Sequence, residues 1–195
     1  MTAIRSFLAT CLCLVGFSAA AVAHPHVWVD VTTEMVSPPG KPLELVMRWR
    51  MDEFLSSALL EDFDQDRDGK LTETEIDAMR DTAFRALEGG HYFTIVVANG
   101  QDHKPSGAGE FTAVAGDGIV TYQFTLTFSD LPAAQTTKWD LFVYDAENYV
   151  DFQFVADRPS VVPGSCTSSL EDAPERTYYS GLLFARKVRI NCAGS

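Results

Sequence analysis

Short segments in which apolar and polar residues alternate occur along most of this 195-residue chain, and this period-two pattern constrains its fold more than any other feature. In HVWVDVTTEMV, for example, two faces alternate: Val27, Val29 and Val31 on one, and His26, Trp28 and Asp30 on the other. Because successive side chains of a strand point to opposite sides, such segments predict strands with one buried face. Roughly seven to nine of them predict a mainly β fold, an antiparallel β-sandwich.

Turn-forming residues divide these segments and predict three β-hairpins, with turns at SPPGKP, at residues 116–118 (GDG) and at DAEN. Asn99-Gly100 marks a further tight turn, and QDHKPSGAG after it predicts a polar loop. The stretch RPSVVPGSCTSSLEDAPERT is rich in proline, glycine and serine and also predicts a loop. The segment YYSGLLFARKVRINC then predicts a final strand pair or one long strand.

Residues 52–90 replace the alternation with three-to-four spacing, which predicts two helices. The apolar faces are Phe54, Leu55, Ala58, Leu59 and Phe63 for the first helix, and Ile76, Met79, Ala83, Phe84 and Leu87 for the second. Thr72 and Glu75 have the spacing of a capping box at the start of the second helix. We therefore expect one β-sandwich domain over residues 24–195, with a helix-loop-helix inserted at about residues 52–90.

The loop between the predicted helices, FDQDRDGKLTETEI, matches the twelve-residue EF-hand template at residues 64–75. Its expected calcium ligands, in template order, are Asp64, Asp66, Asp68, the Lys70 carbonyl, Thr72 through a water, and Glu75. Gly69 occupies the position of the sharp turn. Because the loop is single and neither helix is rich in methionine, the pattern favours a structural calcium clip over a calcium sensor.

The amino-terminal 23 residues have the pattern of a secretory signal. Arg5 is their only charge, an apolar run follows, and Ala21-Val22-Ala23 forms a cleavage motif. We expect cleavage after Ala23 and export to the periplasm without membrane insertion. Two cysteines, Cys166 and Cys192, remain after cleavage, and in an oxidising compartment an even pair predicts a disulfide; two buried thiols are the alternative.

The formal net charge is −12, and loss of Arg5 makes it about −13. Such a surface disfavours nucleic acids and anionic membranes as partners and favours metal ions. No nucleophile elbow, phosphate-binding loop, C-x-x-C or H-E-x-x-H motif occurs in the sequence. We therefore expect a protein that is not an enzyme.

Cleavage after Ala23 would leave His24 with both a free α-amine and an imidazole, and His26 lies two residues further on. Pro25 lacks an N–H, which excludes a site built on ligated backbone amides. A side-chain and amine site remains, completed by Asp30, His91 or, less favourably, His103. Such ligands suit Ni²⁺, Zn²⁺, Co²⁺ or Cu²⁺. Solvated histidines without a ligand are the alternative.

Three stretches in this order, AHPHVWVD, FDQDRDGKLTETEI followed by AFRALEGGHYFTIV, and LFVYDAENYVDF, resemble the bacterial periplasmic family known as domain of unknown function one-thousand-and-seven. The family is labelled a periplasmic component of uncharacterised ABC-type transport systems. The resemblance implies an exported protein associated with nickel, cobalt or zinc permeases. It carries this expectation to His24, His26 and Asp30, and to the calcium loop.

These observations together predict an exported calcium-binding protein that acts as a metal-binding accessory of a transition-metal transport system, with an inner-membrane metal permease as its partner. Two alternatives stay open. One is a copper oxidase or oxygenase that uses the amino-terminal His24 as a chelating brace. The other is a purely structural interaction module that calcium stabilises.

Overall fold

A computed structural model describes residues 26–36, 44–131, 138–156, 159–164 and 166–192 of the chain. Within these ranges the chain forms eleven strands and two α-helices. In chain order, the first elements are β1 (Val27–Val36), β2 (Glu44–Met51), α1 (Glu53–Phe63), α2 (Glu73–Met79), β3 (Thr94–Ala98), β4 (Gln101–His103) and β5 (Gly107–Gly116). They are followed by β6 (Ile119–Thr127), β7 (Lys138–Val143), β8 (Val150–Phe154), β9 (Ser160–Val161), β10 (Cys166–Tyr178) and β11 (Leu183–Cys192).

The strands form two sheets that pack as a sandwich. The first sheet has the order β5-β6-β2-β1-β8, with β9 also paired to β1, and the second has the order β10-β11-β7-β3-β4. The second sheet is antiparallel, whereas β1 runs parallel to both β8 and β9. The prediction of a mainly β sandwich is confirmed, but the first sheet is mixed rather than antiparallel because β8 and β9 return to the edge next to β1.

The core lies between the inner faces of the two sheets. In β1 the odd-numbered residues are buried and most of the even-numbered ones are exposed, as the alternation predicts. Val31 pairs with Trp49 and Trp49 with Tyr122, so the buried face continues across β1, β2 and β6. Leu141 pairs with Val96 and with Val188 in the opposing sheet, and all three are buried.

Three of the predicted turns join antiparallel neighbours: β1 pairs with β2, β3 with β4, and β5 with β6. The DAEN hairpin prediction is wrong, because β7 lies in the second sheet and β8 in the first. Asp145 explains this turn. Its carboxylate accepts hydrogen bonds from the N–H groups of Glu147, Tyr149 and Val150 and so directs the chain across the edge of the sandwich.

The prediction of a loop at RPSVVPGSCTSSLEDAPERT is also wrong for the part that forms β10, a 13-residue strand that pairs with β11. The register shifts between Ala173 and Thr177, so that residues 174–176 bulge out of the ladder. Because β10 is an edge strand, the bulge accommodates Pro174 without breaking the sheet. The disulfide prediction is confirmed: Cys166 and Cys192 are bonded and join the paired ends of β10 and β11.

The two helices lie between β2 and β3, as predicted, and pack on the same face of the first sheet as the core. Ser56 is buried in this contact, and its Oγ accepts a hydrogen bond from the N–H of Val120 at 3.0 Å. After α2 the chain continues through a π-helical turn (Arg80–Phe84) and a 3₁₀ segment (Arg85–Phe93). Among the described residues, no helix is long and apolar enough to cross a membrane.

Candidate metal centre

The acidic loop is positioned by the helices on either side of it. Helix α1 begins after Asp52, whose Oδ1 accepts the N–H of Leu55 and whose Oδ2 accepts the N–H of Trp28 in β1. The helix therefore starts at a fixed point on the first sheet. It ends at Phe63, and the N–H of Asp64 still donates to the carbonyl of Leu60. Asp64, the first residue of the loop, thus has a defined orientation.

Three carboxylates converge in this loop. One carboxylate oxygen from each of Asp64, Asp66 and Asp68 lies within 4.8 Å of the other two. Asp64 is only 7% exposed, whereas the other two are exposed to solvent. Three anionic oxygens at this spacing, one of them buried, form a partial shell for a hard cation.

Backbone N–H groups stabilise the folded shape of the loop. Asp64 accepts hydrogen bonds from the N–H groups of Gly69 at 2.9 Å and Asp68 at 3.3 Å, and Asp68 accepts one from the N–H of Lys70 at 2.8 Å. Gly69 has a φ of +77°, which L side chains rarely adopt. The loop therefore closes on itself at the glycine that the EF-hand template places at its sharp turn.

Glu75 connects the two ends of the loop. It is only 5% exposed; its Oε1 accepts the N–H of Gln65, and its Oε2 accepts both the N–H and the hydroxyl of Thr72. The Thr72 hydroxyl in turn accepts the N–H of Glu75, so the predicted capping box is present. Glu75 does not belong to the group formed by the three aspartates. The sequence gives no signal for the contact between Gln65 and Glu75, because only the backbone N–H of Gln65 takes part.

The electrostatics of the loop reflect its crowded negative charge. The N–H of Asp68 lowers the pKa of Asp66, but loss of hydration and the like charges of Asp68 and Glu75 outweigh this effect and raise that pKa overall. The pKa of Glu75 is lowered, because it accepts the N–H groups of Thr72 and then Gln65. Residues 61–77 contain eight acidic and two basic side chains, so a bound cation would relieve repulsion.

The remaining predicted ligands of the loop, Lys70 and Thr72, lie between Gly69 and α2. The Lys70 side chain is exposed, and the backbone N–H of Lys70 donates to the carboxylate of Asp68. All candidate ligands in this segment are oxygens, and oxygen ligands are what Ca²⁺ and Mg²⁺ prefer. The segment is therefore suited to a hard divalent cation.

Among the described residues, the predicted transition-metal ligands do not converge on one site. His24 lies outside the described residues. His26 is exposed, and its ring centroid is 4.7 Å from that of Tyr149. The backbone N–H of His26 donates to the backbone carbonyl of Tyr149. Asp30 pairs with Arg50 at 3.6 Å. His91, with a φ of +51°, lies at a kink near the end of the 3₁₀ segment and is partly buried. Within the described ranges, His26, Asp30 and His91 do not form a three-ligand group.

His103, the weakest candidate, is not in a polar loop as predicted. It ends β4 and is buried, with Nδ1 3.1 Å from Oδ2 of Asp130. The two atoms are within ion-pair distance, but Nδ1 makes no hydrogen bond among the described residues. The His103 imidazole is thus shielded from solvent.

The fold and site define a class: a two-sheet β-sandwich with a disulfide and a helix-loop-helix segment that contains an acidic cluster. The sequence matches the family described as protein of unknown function DUF1007 over residues 9–180, and the chain belongs to this family. It is also similar to an uncharacterised protein of Haemophilus influenzae. The two are 23% identical over 197 aligned residues, which cover 90% of this chain and 94% of that protein.

Proposed function

We propose that residues 64–75 bind one Ca²⁺ ion as an EF-hand loop and that the ion holds α1 and α2 at a fixed angle on the first sheet. The observation that carries this proposal is the convergence of Asp64, Asp66 and Asp68 within 4.8 Å of one another between two helices. The Lys70 carbonyl, Thr72 and Glu75 would complete the shell. Contact between Glu75 and the ion would replace part of its hydrogen bonding to Gln65 and Thr72.

A structural role is favoured by how the helices are attached. Both flank the loop directly, and α1 is already joined to β1 and β6 through Asp52 and Ser56. Binding of an ion between the helices would therefore stabilise their packing rather than release a mobile segment. Extracellular loops of this type bind calcium with dissociation constants of roughly 0.1 to 1 mM.

Calorimetric titration with Ca²⁺ tests this proposal. We expect one ion per chain, with Mg²⁺ binding more weakly, and loss of binding in the double variant Asp64→Asn/Asp66→Asn. The matched control is Glu61→Gln/Asp62→Asn, which removes the same charge from two exposed side chains of α1 just before the loop. Equal loss of binding in both double variants would attribute the affinity to net charge and reject the EF-hand site.

We further propose that the chain is exported to the periplasm and serves as a metal-binding accessory of a nickel, cobalt or zinc transport system. Support comes from the signal-like leader, from His24 and His26, and from the net charge of −12. The disulfide is typical of proteins in oxidising compartments. The family resemblance of the sequence motifs implies an inner-membrane permease as the partner.

The accessory role predicts a transition-metal site at the processed amino terminus. We expect the form that begins at His24 to bind Ni²⁺ or Zn²⁺. The variant His24→Ala/His26→Ala should lose this binding, and so should a form with one glycine before His24, because that glycine removes the α-amine chelate. The variant His91→Ala tests whether His91 is a ligand, because only a ligand should weaken metal binding when it is removed. Unchanged stoichiometry and affinity in the double histidine variant would contradict the proposal, and calcium binding is measured separately in the same samples.

A further inference from the structure

Strand β8, at the end of the first sheet, differs from the strands at the other sheet ends. Strand β4 has only three residues, and the registers of β5 and β10 are interrupted by irregularities. Strand β8 pairs with β1 in regular register over its whole length, and it contains neither proline nor lysine. Short length, bulges, proline and lysine are what normally keep an edge strand from pairing with another chain. Strand β8 therefore has an edge suited to the addition of a further strand.

The backbone of β8 has hydrogen-bonding groups on the side away from β1. The carbonyl of Tyr149 accepts the N–H of His26, and the N–H of Val155 donates to the carbonyl of Val31, so the odd-numbered residues of this segment pair with β1. Because backbone groups of successive strand residues alternate in direction, the N–H and C=O of Phe152 point the other way. Within the described ranges, no strand pairs with that side of β8. These two groups of Phe152 therefore lack a strand partner.

A pocket of about 310 Å³ lies along this side of β8. All residues of β8 line it, together with residues of the second sheet that include Tyr178 and Phe184. The N–H of Val150, which points to the same side as that of Phe152, donates to the carboxylate of Asp145, and Asp145 also lines the pocket. The unpaired side of β8 therefore faces the pocket.

The opposite wall of the pocket decides what can pair with β8. Neighbouring strands of a sheet lie about 4.8 Å apart, so a single extended segment needs little room. A second copy of the chain would have to bring its own β10 and β11 along with its own β8. These strands would meet the residues of β10 and β11 that line the pocket of the first copy. The pocket therefore favours an isolated extended segment over a second copy.

The charge of the pocket is negative. Asp145 and Asp151 line it, whereas Arg186, which also lines it, is paired with Asp172 at 3.3 Å. Burial raises the pKa of Tyr178, and the negative charges of Asp151 and then Asp145 raise that pKa further, so both carboxylates act on the same part of the pocket. A positively charged partner complements these carboxylates and the net charge of −12.

We propose that the free edge of β8 binds an extended peptide segment of another protein that contains a lysine or arginine. The segment adds to the first sheet as a further strand, with backbone hydrogen bonds to Phe152 and its positive side chain near Asp151. In sites of this kind, backbone pairing supplies affinity and the contacts of alternate side chains supply specificity. Residues 64–75 do not line the pocket, so peptide binding should not require Ca²⁺.

A pool of acetylated and amidated pentapeptides tests the proposal, with lysine at the centre and valine, isoleucine, threonine or tyrosine at the other positions. Binding is followed by the backbone resonances of ¹⁵N-labelled protein. We expect the N–H of Phe152 to shift saturably and to exchange more slowly with solvent. No shift in β8 with any peptide of the pool would overturn the proposal. A shift in β8 on concentrating the protein alone would assign the edge to a second copy and would also overturn it.

Altered forms of the tightest-binding peptide separate backbone pairing from charge. Methylation of its backbone nitrogens, one at a time, should weaken binding roughly fivefold at alternate positions only, because every second N–H of a strand faces its neighbour. Glutamate in place of the lysine should weaken binding by a similar factor. Equal effects of methylation at all positions would mean that the peptide does not pair as a strand.

Three variants of the protein complete the test. Asp151→Asn should weaken binding of the lysine peptide but not of its glutamate form. Phe184→Ala, at a half-exposed position of the opposite wall, should weaken binding of both forms. Glu34→Gln, at an exposed position of β1, is the matched control for charge and should leave both affinities unchanged. Equal weakening in Asp151→Asn and Glu34→Gln would attribute binding to net charge and reject this site.

Discussion

The aspartates of the acidic loop accept hydrogen bonds from backbone N–H groups, notably those of Asp68, Gly69 and Lys70. An ionised carboxylate has about four acceptor sites, so these contacts leave lone pairs available for a cation. The backbone thus holds the side chains in place and orders the loop in advance. At the residue scale, the conformation of this loop is therefore as important as its acidic composition.

Gly69 is the residue at which this conformation can be tested. Its φ of +77° is strained for a residue with a Cβ, although an added Cβ would meet no atom within 4 Å. We expect Gly69→Ala to lower the free energy of unfolding by about 1 kcal/mol and to weaken calcium binding. Urea unfolding in a chelator, and then in Ca²⁺, measures both effects.

Gly89 provides the matched control, because it also has open space around it and no positive φ. It lies in the 3₁₀ segment, where alanine is compatible with the backbone. Gly89→Ala should therefore leave stability unchanged or raise it by a few tenths of a kcal/mol. Equal losses at the two glycines would show that the turn in the acidic loop carries no special conformational demand.

At the scale of the elements, the bulge in β10 has a role beyond accommodating Pro174. Arg176, the last residue of the bulge, reaches across the outer face of the second sheet and forms two hydrogen bonds, 2.7 and 2.9 Å long, with Asp102 in β4. Its guanidinium lies 4.4 Å from the ring centroid of Phe142. The contact joins the two edge strands of the sheet, β10 and β4.

This contact predicts a pH dependence. The hydrogen bonds from Arg176 lower the pKa of Asp102 below its ordinary value of 3.8. Because the folded pKa is lower than the unfolded one, the stabilisation is complete above pH 3.8 and is lost as the pH falls through the folded value. Asp102→Asn should therefore reduce stability at neutral pH, by less than about 1 kcal/mol since the pair is partly exposed, and the difference from wild type should vanish in acid.

Denaturant unfolding between neutral pH and strong acid measures this dependence. Glu34→Gln, at an exposed position of β1, is the control and should show a much smaller difference at neutral pH. A stability loss in Asp102→Asn that persists unchanged in acid would mean that the side chain acts through packing and not through its charge.

The elements that were predicted correctly are those whose signals are local. Period-two alternation identified the buried faces of β1 and β2, and the three-to-four spacing identified α1 and the start of the second helical segment. It missed that Phe54 is exposed and that α2 ends at Met79, so that Phe84 lies in the π-helical turn. The sheet that a strand joins is not determined by its local sequence. The turn at Asp145 resembles a hairpin turn but connects the two sheets, and Pro174 suggests a loop although an edge strand tolerates it at a bulge.

The candidate site divides in the same way. Asp64, Asp66 and Asp68 are close in sequence, so the spacing of the template predicted their convergence. His26 directly precedes β1, Asp30 lies within β1, and His91 comes from the segment after α2. No local pattern could determine whether His91 meets the other two. Alternation in β2 predicts that Trp49 is buried, but it carries no information on whether its indole N–H finds an acceptor.

At the scale of the whole molecule, the inserted helical segment contributes side chains to the core that the two sheets share. Met79 and Phe84 are buried against the same core as Phe124. An ion in the acidic loop would therefore stabilise packing well beyond its own ligands. The second sheet, in which the disulfide joins β10 to β11 and the Arg176 contact joins the edge strands β10 and β4, should depend on the ion much less.

Hydrogen–deuterium exchange with and without Ca²⁺ tests this claim most directly. The account predicts slower exchange in the loop and in α1 and α2 when Ca²⁺ is saturating, little change in β7, β10 and β11, and no calcium effect in Asp64→Asn/Asp66→Asn. Unchanged exchange in residues 64–75 of the wild-type protein at saturating Ca²⁺ would contradict the proposed calcium clip.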